Sequence, residues 1–378
     1  MSSSQDRIFL SPPHVSERER ELLLEAFDSN YIAPVGPALD AFEESFREQT
    51  GFAHCVAVTS GTAALHLALV HLGIQSDDTV IASTLTFIGS VGPAFHLGAK
   101  LIFVDSSEDT WNMDPALLRQ ALEECKSEES LPKVILPTDI YGQSCDLDAI
   151  LEIGEEYDIP VVVDSAESLG ATYRGRSVGK GAAAAAFSFN GNKIITTSGG
   201  GMLASDDEKI IDHVRHLSTQ AREPVSHFEH REVGFNFRLS NLCAAVGTAQ
   251  MEALPSRVKR KREVFAYYRD ALAGIDGIEM MPEAAFGESN AWLSVITIDP
   301  ETFGSSNKEI RMRLEEDNIE SRPTWKPMHC QPALSGSRVI GGGISERLFE
   351  TGLCLPSGTA LRDSDLDRIC EIICSMGR

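Results

Sequence analysis

No apolar run in this chain approaches the roughly 20 residues needed to span a bilayer. The first residues, MSSSQDRIFLSPPH, lack the basic start and long apolar core of a secretory signal. Basic side chains are in short supply, with 33 Lys and Arg against 56 Asp and Glu and a formal charge of −23. A field of that sign opposes nucleic acid and anionic membrane surfaces. It still admits a phosphorylated small molecule, because local cations and backbone N–H groups override the mean field. The triple glycines at 199–201 and 341–343 read as turns, and neither forms the dinucleotide fingerprint G-x-G-x-x-G. That counts against a nicotinamide-dependent oxidoreductase. Eight cysteines, at 55, 125, 145, 243, 330, 354, 370 and 374, are spread too thinly through too large a chain for a disulfide framework. Internal repeats and low-complexity segments are also missing. These absences predict a soluble cytoplasmic protein with free thiols, no nucleic-acid partner and no membrane association.

What the sequence does hold is an alternation. Its 378 residues, 42% of them apolar, suffice for a sizeable core and for two domains, or one domain with an annex. Ser16-Glu17-Arg18-Glu19 is a capping box that opens a helix to Phe27, and a second helix follows from Leu39 to Glu48. A strand at Cys55–Val58 leads at once into a helix beginning near Gly61. Segments at Thr79–Ser83, Phe87–His96, Leu101–Val104, Pro115–Cys125, Val134–Pro137, Leu147–Tyr157 and Val161–Asp164 then alternate strand with helix. This is the signature of βαβ units around a mostly parallel sheet. The run Ala182–Ala186 favours helix by propensity, but the alternation and Phe187-Ser188-Phe189 make it a strand. Met202–Ala204 reads as a further strand and Asp207–Leu217 as a helix. After Pro255 the pattern predicts a long charged helix from Arg257 to Ala273, short strands such as Trp292–Ile298, and helices at Lys308–Asp317 and Asp363–Ser375. We expect a large domain over 1–253, with an N-terminal arm at 1–15, and a smaller α+β domain over 254–378.

The chemistry concentrates between Val161 and Gly201. Asp164 ends a buried strand, where open α/β sheets bind their ligands, and it also reads as a helix cap or loop carboxylate. Lys193 lies on the turn after the next strand and reads equally as a surface lysine. Together they fit pyridoxal phosphate, which needs a carboxylate on its ring nitrogen and an amine for a Schiff base and proton transfer. Ser188 is either a small strand-end residue or a phosphate donor. Gly61-Thr62-Ala63 is either an ordinary strand-to-helix turn or a phosphate site at a helix N-terminus. Phe87 is either core or a flat ring over the cofactor.

At these residues the sequence resembles the fold-type I, pyridoxal-phosphate-dependent sugar-nucleotide aminotransferases of the DegT/DnrJ/EryC/StrS family. The carriers are Ser60–Leu65, Thr84–Phe87, Asp164–Gly170, Phe187–Lys193 and Gly234–Asn241, in this order and over nearly the whole chain. The resemblance implies that Lys193 holds the cofactor covalently and that Asp164 pairs with the ring nitrogen. Glu167 would sit near the ring's O3′ edge. Gly61, Thr62, Ala63 and Ser188 would hold the phosphate, and Phe87 would cover the ring. Asn236 would reach the phosphate from a partner subunit, which implies a homodimer with shared active sites. A dehydratase branch has His where the aldimine lysine belongs, and Lys193 argues against it. The segments 190–197 and 321–329 look most like the bacillosamine-pathway members. Those move an amino group from glutamate to C4 of a UDP-linked 2-acetamido-4-keto-6-deoxyhexose. On that reading Tyr31, Trp325 and His329 approach the sugar, and Arg322 or Lys326 meets anionic groups. Relatives acting on GDP- or dTDP-linked sugars, and a non-catalytic cofactor-binding paralogue, are the alternatives.

His213-x-x-His216 and His227-x-x-His230 invite a metal reading, but the first pair has no matched carboxylate or cysteine in sequence and no metal is expected. Arg257–Arg262 is expected to be a solvated helix face with acidic neighbours.

Overall fold

The computed structural model describes residues 6–378. Strands at Thr79–Ser83, Lys100–Val104 and Val134–Leu136 pair in parallel. Parallel bridges from Ile135 to Val161 and from Thr138 to Asp164 join them to Val162–Asp164. That strand pairs in parallel with Ala184–Ser188. Gly201–Ser205 then runs antiparallel to both Ala184–Ser188 and the edge strand His54–Val58. The sheet is therefore mostly parallel, as the alternation predicted. Its strands are continuous apolar runs because both faces are covered. Ile81 packs with Phe46 and Leu118 on one side, while Val80 and Ala82 pack with Leu65 and Ala94 on the other.

The alanine run forms its strand because its neighbours leave little room. A methyl group added at Gly179 would come within 2.5 Å of the Ala185 Cβ. Helical propensity, a few tenths of a kcal/mol per residue, loses to this packing. Gly201 shows the same economy more sharply. A Cβ there would lie 2.3 Å from the Ser60 carbonyl carbon, so the strand and the turn preceding Gly61 touch only because residue 201 has no side chain. Gly201→Ala is expected to destabilise the protein by about 3 kcal/mol through overpacking against rigid backbone, read as a lower denaturation midpoint.

The helix expected from Arg257 in fact begins at Asn241 and runs unbroken to Ala271. Pro255 lies inside it. A proline there cannot donate to the carbonyl four residues back, and that carbonyl, Met251 O, accepts instead from Gln49 Nε2 at 2.6 Å. The helices Glu17–Asp28 and Pro37–Thr50 pack alongside, and their cover, not propensity, carries the long helix through the proline. The expected changeover at 253/254 thus falls within one helix.

The C-terminal part holds an antiparallel sheet of Ile278–Met280, Ser294–Ile298, Gly352–Leu355 and Arg322–Pro323. Helices Asn307–Glu316 and Asp363–Cys374 cover it, around Ile296, Leu314, Leu366 and Ile369. Backbone pairings cross between the parts. Arg338–Ile340 pairs in parallel with Lys100–Val104 and so forms the far edge of the large sheet. Near the other terminus, Ile8 bridges Ile319, and Ser357 donates its N–H to Leu10 O at 2.7 Å, so the N-terminal arm packs on the C-terminal sheet.

The basic run at 257–262 differs from expectation. Arg260 and Arg262 do meet acidic neighbours, Glu263 with Asp363 and Glu283. Arg257 and Lys261 are buried and point inward. All eight cysteines are free thiols. No helix among the described residues is long and apolar enough to cross a membrane.

Candidate active site

The carboxyl ends of the parallel strands open onto a cavity of about 370 Å³. Its wall includes Gly61, Thr62, Phe87, Asp164, Glu167, Ser188, Lys193 and Trp325, which the sequence had singled out at widely separated positions. Each arrives by a short route. Asp164 ends one strand, Ser188 ends the next, and Lys193 follows five residues later on a turn closed by its N–H to Asn190 O at 3.0 Å.

Asp164 is 5% exposed. Its Oδ2 accepts from the Ser90 hydroxyl and its Oδ1 from the Ala166 N–H at 3.1 Å. Burial pushes its pKa up despite these bonds and the nearby charge of Lys193. Ser90 is itself tied to Thr86, and Thr86 accepts from Thr138 at 3.0 Å, so the carboxylate is held by a chain of hydroxyls.

Glu167 accepts from Tyr141 N at 2.7 Å through Oε2, and from Trp325 Nε1 at 3.3 Å and Lys193 Nζ at 3.4 Å through Oε1. Burial again raises its pKa and outweighs the opposing pull of Lys193. Lys193 Nζ also lies 4.0 Å from the centre of the Trp292 ring. Trp325 stands between Phe87, Tyr141 and Trp292, with centroids 6.2, 5.4 and 6.3 Å away, and completes an aromatic wall.

At the other end, Ser60 caps the helix Gly61–His71 by accepting from Ala63 N at 3.0 Å. Ala63 is buried, and its amide donates to this cap. The first two amides, of Gly61 and Thr62, have no acceptor within their own helix, and both residues line the cavity with Ser188. The donor set fits pyridoxal phosphate. Unpaired helix amides and a hydroxyl suit the phosphate, and a buried carboxylate with a raised pKa gains a counter-charge from a protonated ring nitrogen. An amine stands on the same cavity wall. When bound, the group supplies an electron-withdrawing ring that holds an amino group between donor and acceptor. The chain's own residues would do the rest: Asp164 would hold a proton at the ring nitrogen, Lys193 would move one at Nζ, and the aromatic wall would limit water.

Other expected residues lie outside this cavity in the single chain. Asn236 is exposed on the segment that follows Phe235, and Tyr31 is half exposed at a chain bend. Arg322 lines an adjoining cleft with Trp292, Trp325 and Asn192, and its guanidinium pairs with Glu320. Lys326 is half-buried outside both cavities, its carbonyl accepting from Gln331 Nε2 at 3.2 Å. The His329 ring is engaged on both nitrogens, by Thr84 Oγ1 at 2.6 Å and Glu346 Oε1 at 2.9 Å. The histidine pairs are likewise occupied. His213 meets His71 and Glu232, and His216 lies 3.6 Å from the same Glu232, a carboxylate that the spacing did not reveal.

Sequence reasoning missed Ser90, Thr86, Tyr141 and Trp292. Ser90 carried a faint signal, a hydroxyl in the first turn of an apolar helix. Trp292 carried another, a tryptophan separated only by Ala291 from the polar Ser289-Asn290.

Known proteins agree with the geometry. A model of the DegT/DnrJ/EryC1/StrS aminotransferase family matches residues 13–374. A Bacillus subtilis (strain 168) protein provisionally named as a pyridoxal phosphate-dependent aminotransferase, EpsN, is 47% identical over 97% of this chain and 95% of its own. GDP-perosamine synthase of Caulobacter vibrioides is 35% identical over 97% of each. Spr1654 of Streptococcus pneumoniae, provisionally named a sugar aminotransferase and solved in its pyridoxal-phosphate form, superposes with a TM-score of 0.90 at 27% identity over 98% of each chain. This chain belongs to the DegT/DnrJ/EryC1/StrS aminotransferase family and is a pyridoxal-phosphate-dependent sugar-nucleotide aminotransferase.

Proposed function

We propose that the enzyme moves an amino group from glutamate to C4 of a nucleotide-linked 4-keto-6-deoxy sugar, the substrate being a UDP-2-acetamido-4-keto-6-deoxyhexose. The observation that carries the transfer is the convergence of Lys193 Nζ and the buried Asp164 on one cavity. The resemblance of segments 190–197 and 321–329 to bacillosamine-pathway members supports the sugar. A second reading, a GDP-linked substrate, is favoured by the 35% identity to a GDP-perosamine synthase. The test offers UDP-, GDP- and dTDP-linked 4-keto sugars with glutamate and weighs the products by mass spectrometry. A gain of one amine on the UDP-acetamido sugar alone supports the first reading; amination of the GDP sugar alone replaces it.

The active unit we propose is a homodimer in which Asn236 of each chain completes the phosphate site of the other. Asn236 is exposed and outside its own chain's cavity, and Phe228 and Val233 nearby are 78% and 89% exposed, an apolar surface suited to a second copy. Mixing Lys193→Ala with Asn236→Ala chains, each inactive alone, is then expected to restore about one quarter of the native rate by statistical pairing of subunits. No recovery on mixing would remove the shared site.

A further inference from the structure

Beneath the turn that carries Lys193 lies a lysine with no place in the transfer itself. Lys261 is 2% exposed, in the middle of the long helix Asn241–Ala271. Its Nζ donates to Trp292 O at 2.8 Å and to Ser11 Oγ at 3.1 Å. Ser11 Oγ in turn donates to Asn192 O at 2.9 Å, and Trp292 Nε1 donates to the same carbonyl at 2.7 Å. One carbonyl, on the residue immediately before Lys193, is therefore gripped by two donors. Lys261 orients the residues that supply both. The Trp292 ring that makes one of these bonds is the ring over which Lys193 Nζ lies.

We propose that Lys261 is a positioning residue: through Ser11 and Trp292 it fixes the Asn192 carbonyl and so aims the Lys193 side chain into the cavity. The inference rests on Lys193 being the reactive amine. Three stretches distant in sequence meet here, the N-terminal arm, the long helix and the strand entry at Trp292. The chemistry suits a buried clamp. Both acceptors are uncharged, so burial draws the Lys261 pKa down to about 7. The neutral amine has two N–H donors, which match the two acceptors, so the clamp holds with or without the charge. A displacement of about 1 Å at a reacting group costs on the order of 100-fold in rate, which is why a residue this far back matters.

The first measurement uses cofactor-free protein and needs no substrate. In Lys261→Met, amide hydrogen exchange at Lys193 and Thr197 is expected to quicken by about 10-fold or more, while the helix Gly61–His71 exchanges as in the native chain. Ser11→Ala, which removes one of the two donors, is expected to quicken the same amides by less, and the double variant to exchange no faster than Lys261→Met alone, because Lys261 stands behind both donors. With cofactor, glutamate and keto sugar, kcat should fall about 10-fold or more with KM for glutamate within about 2-fold. Native exchange at residues 193 and 197 in Lys261→Met, or effects of the two substitutions that simply multiply, would overturn the proposal. If Lys261→Met does not fold, Ser11→Ala decides alone: local quickening upholds the clamp and native exchange refutes it. Failure of the amination assay with intact exchange effects would count against the proposed substrate and not against the clamp.

Discussion

Replacing Lys193 by alanine is expected to reduce amino-group transfer by about 10⁴-fold or more, and to leave no cofactor fixed to the chain after borohydride reduction. The size of the effect follows from the cavity wall. No other lysine lines it among the described residues, so no neighbouring amine can take over the covalent bond or the proton transfer. Glu167 and Trp325 would remain to bind the reactants, which makes the variant a trap that holds cofactor non-covalently without turning it over. Mass spectrometry of the reduced protein reads the bond directly. A fixed cofactor on Lys193→Ala would move the reactive amine elsewhere and undo the assignment.

Asp164→Asn is expected to lower kcat/KM by about 10³-fold, since an amide cannot offer the negative charge that keeps the ring nitrogen protonated. The same substitution has an opposite effect on the protein without its cofactor. Burial holds the Asp164 pKa above that of an aspartate in the unfolded chain. The folded state therefore binds this proton more tightly, and the stability so gained is complete at acid pH and lost as pH rises through the folded-state pKa. At neutral pH burial of this acid costs the folded cofactor-free chain stability that an asparagine would not lose. Cofactor-free Asp164→Asn should thus melt higher than the native chain near neutrality, with the difference shrinking as pH falls. Adding pyridoxal phosphate should raise the Tm of the native protein and do much less for the variant. Calorimetry at two pH values with and without cofactor checks all four corners. A native cofactor-free protein that melts above the variant at neutral pH would show that Asp164 pays no desolvation cost there.

Residues whose function demands a fixed chemical type at a fixed place on the sheet were legible from sequence. Asp164 and Ser188 end strands and Lys193 lies on the turn after Ser188, and an uninterrupted apolar run followed by a polar residue announces that edge of the sheet. The supporting shell was not legible. Ser90, Thr138 and Tyr141 act through bonds to residues far along the chain, and a hydroxyl in a helix or turn has no distinctive spacing. Pro255 misled because its usual consequence was cancelled by Gln49, a partner about 200 residues earlier whose amide fills the gap. The charge run at 257–262 misled for a related reason. A solvated and an inward-facing lysine look alike until the packing of the N-terminal arm is known. Arg338–Ile340 escaped notice because three residues between glycine-rich turns carry no periodicity.

That last strand has a consequence for how the polypeptide leaves the ribosome. Its pairing partner, Lys100–Val104, is translated more than two hundred residues earlier, and until Ile340 emerges its outer row of N–H and C=O groups stays unpaired. A nascent chain or truncated fragment ending before residue 338 therefore presents a sticky border on a large sheet whose other strands are all made, and two such fragments can satisfy one another by joining there. Shortened versions of this enzyme should accumulate as aggregates, while the full-length chain closes its own margin.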